Sequence, residues 1–239
     1  MIRRLGRLGR FQKNRRPDLK LAWHPWRSLR AVLNLPNLPN LRMIPFQKKD
    51  MENPILLDFP YSFETERLII RGPLPDDAVP LRQAVVESQP ELKPWMPWAV
   101  EVPTEEWYRV RVREGRLKFL AREDLWLMLT LKENGLIIGG SGLHRIDWAV
   151  PKFEIGYWAR TSHAGRGYIT EAVNGITHFA FDTLGARRVE IRCDAKNERS
   201  AAVARRAGYT LEGTFHHDAR DHVSGGLRDT LIFAQVRPD

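Results

Sequence analysis

The stretch HAGRGYITEA, residues 163–172, sets two glycines around an arginine, between the apolar run FEIGYWA (153–159) and a segment with helical spacing. A strand that ends in a tight glycine turn at a helix N-terminus aims several free backbone N–H groups at one point, and the helix dipole adds positive potential there. An anion is the expected guest. Spacing excludes two familiar phosphate loops. Gly165-Arg166-Gly167-Tyr168-Ile169-Thr170 has neither the Gly-Lys-Ser/Thr of a Walker loop nor the third glycine of a dinucleotide fingerprint. On these six residues alone, a loop whose glycines merely supply positive φ stands beside the anion site as an equal reading.

Downstream of the glycines, Ile169, Ala172, Val173, Ile176, Phe179 and Ala180 recur at helical spacing, which predicts an amphipathic helix packed on a sheet. ARRVEIRCDA (186–195) then reads as a strand, NERSAAVARRAG (197–208) as a helix, and YTLEG (209–213) with GLRDTLIFAQV (226–236) as closing strands. Upstream, ERLIIRG (66–72) reads as a strand and PDDAVPLRQAVVES (75–88) as a helix begun at Asp76 or Asp77. PTEEWYRVRVREGRLKFLARE (103–123) predicts a helix with Thr104 near its start and a break at Gly115. DLWLMLTLKENGLIIGGSGLHRIDWA (124–149) predicts a strand pair turned by Asn134-Gly135, which KFEIGYWA (152–159) extends into a meander. Meander first and strand-helix-strand later argue for one α/β domain with a mixed sheet rather than a doubly wound parallel one.

Composition narrows the class. The 239 residues allow one sizeable core or two small ones, and no run approaches the ~18 uninterrupted apolar residues of a membrane span. A single cysteine, Cys193, excludes a disulfide framework, fits a reducing, cytoplasmic setting, and reads as core filler in an alternating strand. The net charge of +9 is unevenly placed: residues 1–50 hold 13 Lys and Arg against two Asp, leaving 25 basic and 27 acidic residues for the rest. The basicity therefore belongs to the tail. Residues 1–55, with repeated Pro and Asn, are expected to lack a fold of their own. A dispensable extension upstream of Met51, an arm for nucleic acid or the ribosome, and a targeting peptide all remain open for them. His216-His217 lacks a third ligand at suitable spacing, so no metal is expected.

The order and spacing of ETERLIIRG (64–72), LKPWMPW (92–98), EIGYW (154–158), GRGYITEA (165–172), the Asn197-x-x-Ser200 pair and AGYTLEG (207–213) resemble the GNAT N-acetyltransferases of the RimJ/RimL-type subgroup, which modify ribosomal proteins. The resemblance runs from about residue 60 to the end, with the domain placed at 56–239. It implies the GNAT fold, a mostly antiparallel sheet whose central strands splay, and acetyl-CoA as co-substrate. The amides of Gly165, Arg166, Gly167 and Tyr168, with Ile169 following, would hold the diphosphate. Tyr157, Trp158 and Ala159 on the splayed strand would pair with the pantetheine arm. Asn197 would touch that arm as well as cap its helix, and Arg205 or Arg206 would reach the 3′-phosphate unless both simply face solvent. The chain departs from the family in having Ala164 just before the first glycine. Ser200 would protonate the departing thiolate, or serve only as a first-turn serine beside the cap.

For the base, Glu154, Asp218, Asp221 and His144 are candidates, because the glutamate of the ribosomal-protein enzymes falls near Ala219. His144, Trp95 and Trp98 would line the acceptor pocket, with core packing the alternative for the two indoles. An α-amine at pKa ~7.7 to 8.0 needs far less help than a lysine at ~10.4, so a protein N-terminus is the favoured acceptor. A small amine or antibiotic is the alternative acceptor. A non-catalytic module that binds nucleic acid or the ribosome through its tail is the alternative of another class.

Overall fold

In this computed structural model residues 53–237 are described, and the expectations for the basic extension up to residue 52 lie outside them. Eight strands form one sheet: β1 (Ser62–Glu64), β2 (Leu68–Arg71), β3 (Leu125–Leu131), β4 (Ile137–Asp147), β5 (Lys152–Ala159), β6 (Arg188–Asp194), β7 (Thr210–Arg220) and β8 (Leu227–Val236). Their order across the sheet is β1-β2-β3-β4-β5-β6-β8-β7. Every neighbouring pair is antiparallel except β5 and β6. That one parallel pair lasts three residues, from Lys152↔Arg188 to Glu154↔Glu190. From Ile155 onward the two strands part. The mixed sheet expected from the element order is therefore present, with its opening at the strand that leads into the glycines.

Among the described residues, four α-helices cover the faces: α1 (Ala78–Leu92), α2 (Glu105–Ala121), α3 (Tyr168–His178) and α4 (Glu198–Arg206). The larger core cluster joins Phe153 and Ile155 of β5, Ala172, Val173 and Ile176 of α3, Ala201 and Ala204 of α4, and Phe233 of β8. A smaller one joins Leu81 and Val85 of α1, Tyr108 and Val112 of α2, Met128 of β3 and Trp158 of β5. β3 is buried at six of its seven positions, as its unbroken apolar run suggests for a central strand.

Three local expectations need correction. Gly115 does not break α2. The helix runs through it because a β-carbon there would lie 2.4 Å from the Trp126 ring, so glycine is a packing requirement, and the helix ends instead at Arg122 in the left-handed region. Asp77 begins α1 without capping it; its carboxylate accepts from the Leu74 amide and from both terminal nitrogens of Arg71 at 2.6 and 2.7 Å. Strand β7 continues seven residues past Gly213, and β1 is too short to show a period. Thr104 does cap α2, accepting from the Trp107 amide.

Candidate active site

Where β5 leaves β6 the chain enters the short turn Thr161–His163, then the glycines, then α3. Gly165 and Gly167 have φ of 74° and 81°, the left-handed region that L side chains rarely adopt. A β-carbon at Gly165 would meet nothing within 4 Å, so the turn is open on that side. Gly167 is the N-cap of α3, and no side chain caps it. The first-turn amides of an 11-residue helix are thus left to an external acceptor. Tyr168 and Ile169 turn their side chains onto the larger core, fixing the helix start from beneath.

Both sides of this turn are held. On one side Glu171 accepts from Thr65 Oγ1 at 2.6 Å, from the Arg67 amide at 2.7 Å and from Arg67 Nε at 2.6 Å. Arg67 also donates to the carbonyl of Arg166 and lies 4.3 Å over the Tyr168 ring. Burial opposes ionisation of Glu171, yet the donors from Thr65 and Arg67 outweigh it and hold the carboxyl below its ordinary range. On the other side Glu87 of α1 accepts from Arg160 Nε and from the Ser162 amide, and Ser88 accepts from the Thr161 amide. The Ser162 hydrogen bond chiefly pulls the Glu87 carboxyl down to about 2. A group depressed in the folded state stabilises at pH above its unfolded value and loses that contribution as pH falls through the folded one. The urea midpoint of the wild type should therefore exceed that of Glu87→Gln above about pH 4.5, and the gap should close as pH falls toward 2. A gap independent of pH would show that the carboxylate is not what holds the turn.

Across the opening, Tyr157 of β5 reaches α4. Its hydroxyl donates to the Ser200 carbonyl at 2.9 Å and accepts from Ser200 Oγ at 3.1 Å. Burial pushes that phenol well above its ordinary value. Asn197 caps α4, accepting from the Ser200 amide at 3.0 Å. Cys193 is buried in the larger core, and burial raises its thiol. Arg206 comes within 3.5 Å of Thr170 Oγ1, and with Gly167 it borders an open groove of about 830 Å³ along α3.

A second cavity, about 740 Å³, lies between the sheet and α1 and α2. Trp98, Trp107, Trp126 and Trp158 wall it, with Tyr157, Ser141 and Gly156 toward the strands and His144 and Asp124 at one end. Trp98 stands edge-on to Trp158 at 6.0 Å. Trp95 is half-buried and outside the lining. Ala159 pairs with Gly139 at the end of β5.

The structure thus brings together Tyr157, Trp158, Trp98 and His144 at the cavity, and Tyr157, Asn197 and Ser200 at the strand opening. Gly165–Ile169 and Arg206 stand around the turn. The base candidates are dispersed: Glu154 sits 3.3 Å from Arg145 and outside the cavity lining, Asp218 pairs with Arg192 at 3.0 Å, and Asp221 ties its own turn to Ser224. Burial raises the Glu154 carboxyl, against the pull of Arg145 and Arg192. His216 pairs with Asp229 at 2.9 Å. Sequence reasoning missed Asp124, Glu171, Glu87 and the role of Arg67. ETERL did mark the Arg67 segment, but its partner Glu171 is 104 residues away.

The splayed strand pair leaves an open strand edge beside the uncapped start of α3, whose free amides suit an anionic group. Comparison with known proteins makes this specific: residues 67–210 match the acetyltransferase (GNAT) domain, and the chain belongs to that family of enzymes. The ribosomal-protein-serine acetyltransferase of Escherichia coli (strain K12) is 31% identical over 165 residues, covering 67% of this chain and 91% of that one. YdaF of Bacillus subtilis (strain 168), named as a candidate ribosomal N-acetyltransferase, is 31% identical over 175 residues, covering 72% and 92%. In fold, the chain is similar to the microcin C7 self-immunity acetyltransferase MccE solved with acetyl-CoA and AMP. That TM-score is 0.69, at 23% identity over 75% of this chain and 98% of that one. These relatives place the chain in the RimJ/RimL-type subgroup.

Proposed function

We propose that this acetyltransferase binds acetyl-CoA at the Gly165–Tyr168 turn and passes its acetyl group to the α-amine at a protein N-terminus, in a reducing, cytoplasmic setting. The observation that carries the proposal is the uncapped, glycine-turned start of α3, set where β5 parts from β6. The diphosphate would take the free amides, Arg206 the 3′-phosphate, and the edge of β5 at Tyr157–Ala159 the pantetheine arm. The thioester would then lie near Tyr157 and Ser200, at the mouth of the cavity of about 740 Å³. The similarity to ribosomal-protein acetyltransferases favours a protein N-terminus. The four indoles of the cavity leave room for a second reading, in which a small aromatic amine is the acceptor.

The test is release of free thiol from acetyl-CoA against a panel of N-terminal peptides and small amines, with acetyl-CoA binding followed by calorimetry. The absence of both thiol release and acetyl-CoA binding would refute the reading. Ser200→Ala should lower kcat about tenfold at unchanged acetyl-CoA affinity, because a thiol of pKa ~8.5 leaves with little help and Tyr157 remains in place. Deleting residues 1–50 should leave turnover intact. Loss of turnover in that variant would instead favour the tail as the working part, in a module that binds nucleic acid or the ribosome.

A further inference from the structure

His144, toward the end of β4, and Asp124, just ahead of β3, place Nδ1 and Oδ2 2.7 Å apart. A carboxylate on Nδ1 selects the tautomer in which that nitrogen donates, and leaves the Nε2 lone pair free. The free edge has a prepared seat. Gly142 of β4 and Gly156 of β5 face each other across the strands, and β-carbons there would meet Nε2 at 2.7 and 3.6 Å. The ring thus fills a notch that two glycines leave. Both partners line the aromatic cavity beside Ser141, Tyr157 and Trp158, and their side chains are about one third exposed.

The other carboxylates weighed for a base lack this combination. Glu154 is turned to Arg145, Asp218 to Arg192, and Asp221 to its own turn. The charged groups that face His144 are Asp124 from the α2–β3 junction and Glu154 across on β5 with its partner Arg145. Across the cavity on α2 stand Arg111, Glu114 and Lys118.

We propose that Asp124 and His144 act as a dyad in which His144 Nε2 is the general base for the acceptor amine. The inference rests on the transferase reading above and deepens it. An acceptor arriving as an ammonium gives one proton to Nε2. The neutral nitrogen then bonds to the thioester carbonyl carbon, and the carbon–sulfur bond breaks. The second amine proton ends on the coenzyme thiol, and the imidazolium returns its proton to water. Asp124 is a positioning residue: it holds the tautomer and steadies the imidazolium.

The experiment measures thiol release from acetyl-CoA over pH 6 to 9 by the wild type, His144→Gln and Asp124→Asn. Two acceptors are used: a hexapeptide with N-terminal serine, and a simple alkoxyamine that stays unprotonated across the range. With the peptide, both variants should lose about tenfold at pH 7 and recover as the pH rises through the amine's own titration near 7.7 to 8.0. With the alkoxyamine the loss should be several-fold smaller and independent of pH, since no proton has to be removed first. Equal losses with both acceptors, or a peptide profile unchanged from wild type, would overturn the dyad while leaving the transferase standing. A wild type that releases no thiol with either acceptor would overturn the transferase reading and the dyad with it.

Discussion

Gly165→Asp should weaken acetyl-CoA binding about a hundredfold, whereas Gly165→Asn should weaken it only a few-fold. Both side chains fit, because a β-carbon at this position meets nothing within 4 Å. Both also bear similar backbone strain, since Asn and Asp are the L residues that best tolerate the φ of 74° found there. What separates them is charge. A carboxylate about 5 Å from a diphosphate, at an effective dielectric of about 20, costs roughly 3 kcal/mol, or about a hundredfold in affinity. The same carboxylate would also accept from the free amides of α3 and occupy the place meant for the ligand. Calorimetric titration with acetyl-CoA gives the affinities, and thermal melting shows whether the fold is kept. Equal affinities for the two variants would mean that the turn holds no phosphate.

Much of this architecture could be read from the chain alone because the informative elements are local. Asn134-Gly135 fixes one hairpin, with Gly135 at a φ of 74°. KFEIGYWA is β5 residue for residue, and Asn197 caps α4 as its type and position suggest. The turn that decides the class is likewise contained in ten residues.

What escaped reading depends on pairing between distant segments. Asp124 meets His144 only because the β3–β4 register slips: Thr130 pairs with Ile137 but Leu129 with Gly139, so Ile138 is an extra residue on β4. Counted outward from the turn without that bulge, Asp124 would stand opposite Leu143 and the dyad would not exist. One unpaired residue therefore sets which side chain the carboxylate faces, and nothing in the hydrophobic pattern announces it. The grip of Glu171 on Thr65 and Arg67 is hidden in the same way, by a separation of about a hundred residues. Trp95 and Trp98 look equivalent in the sequence, yet only Trp98 reaches the cavity, because the chain turns between them at Pro97.

Phe153→Ala should lower the unfolding free energy by about 3 to 5 kcal/mol, read from urea melts. The ring is 1% exposed, packs edge-on to Trp148 at 5.2 Å, and stands on β5 opposite Val189 of β6. The next pair, Glu154 with Glu190, is the last before the strands diverge, so this ring sits at the apex of the opening. Phe119 is the control. It is equally buried, but it packs on Phe59 and Tyr61 under α2, away from that apex. Phe119→Ala should cost a similar amount of stability, because both changes leave a cavity of the same parent size. The variants should part company when acetyl-CoA is added. A ligand that binds only the folded state raises the melting temperature in proportion to its affinity, so Phe119→Ala should retain the full shift. Phe153→Ala should lose most of it, because slack at the apex lets β5 close toward β6 and narrows the slot that the pantetheine arm would enter. Identical shifts in the two variants would show that the opening is held by backbone pairing alone, and that the phenylalanine at its apex contributes to stability but not to the shape of the site.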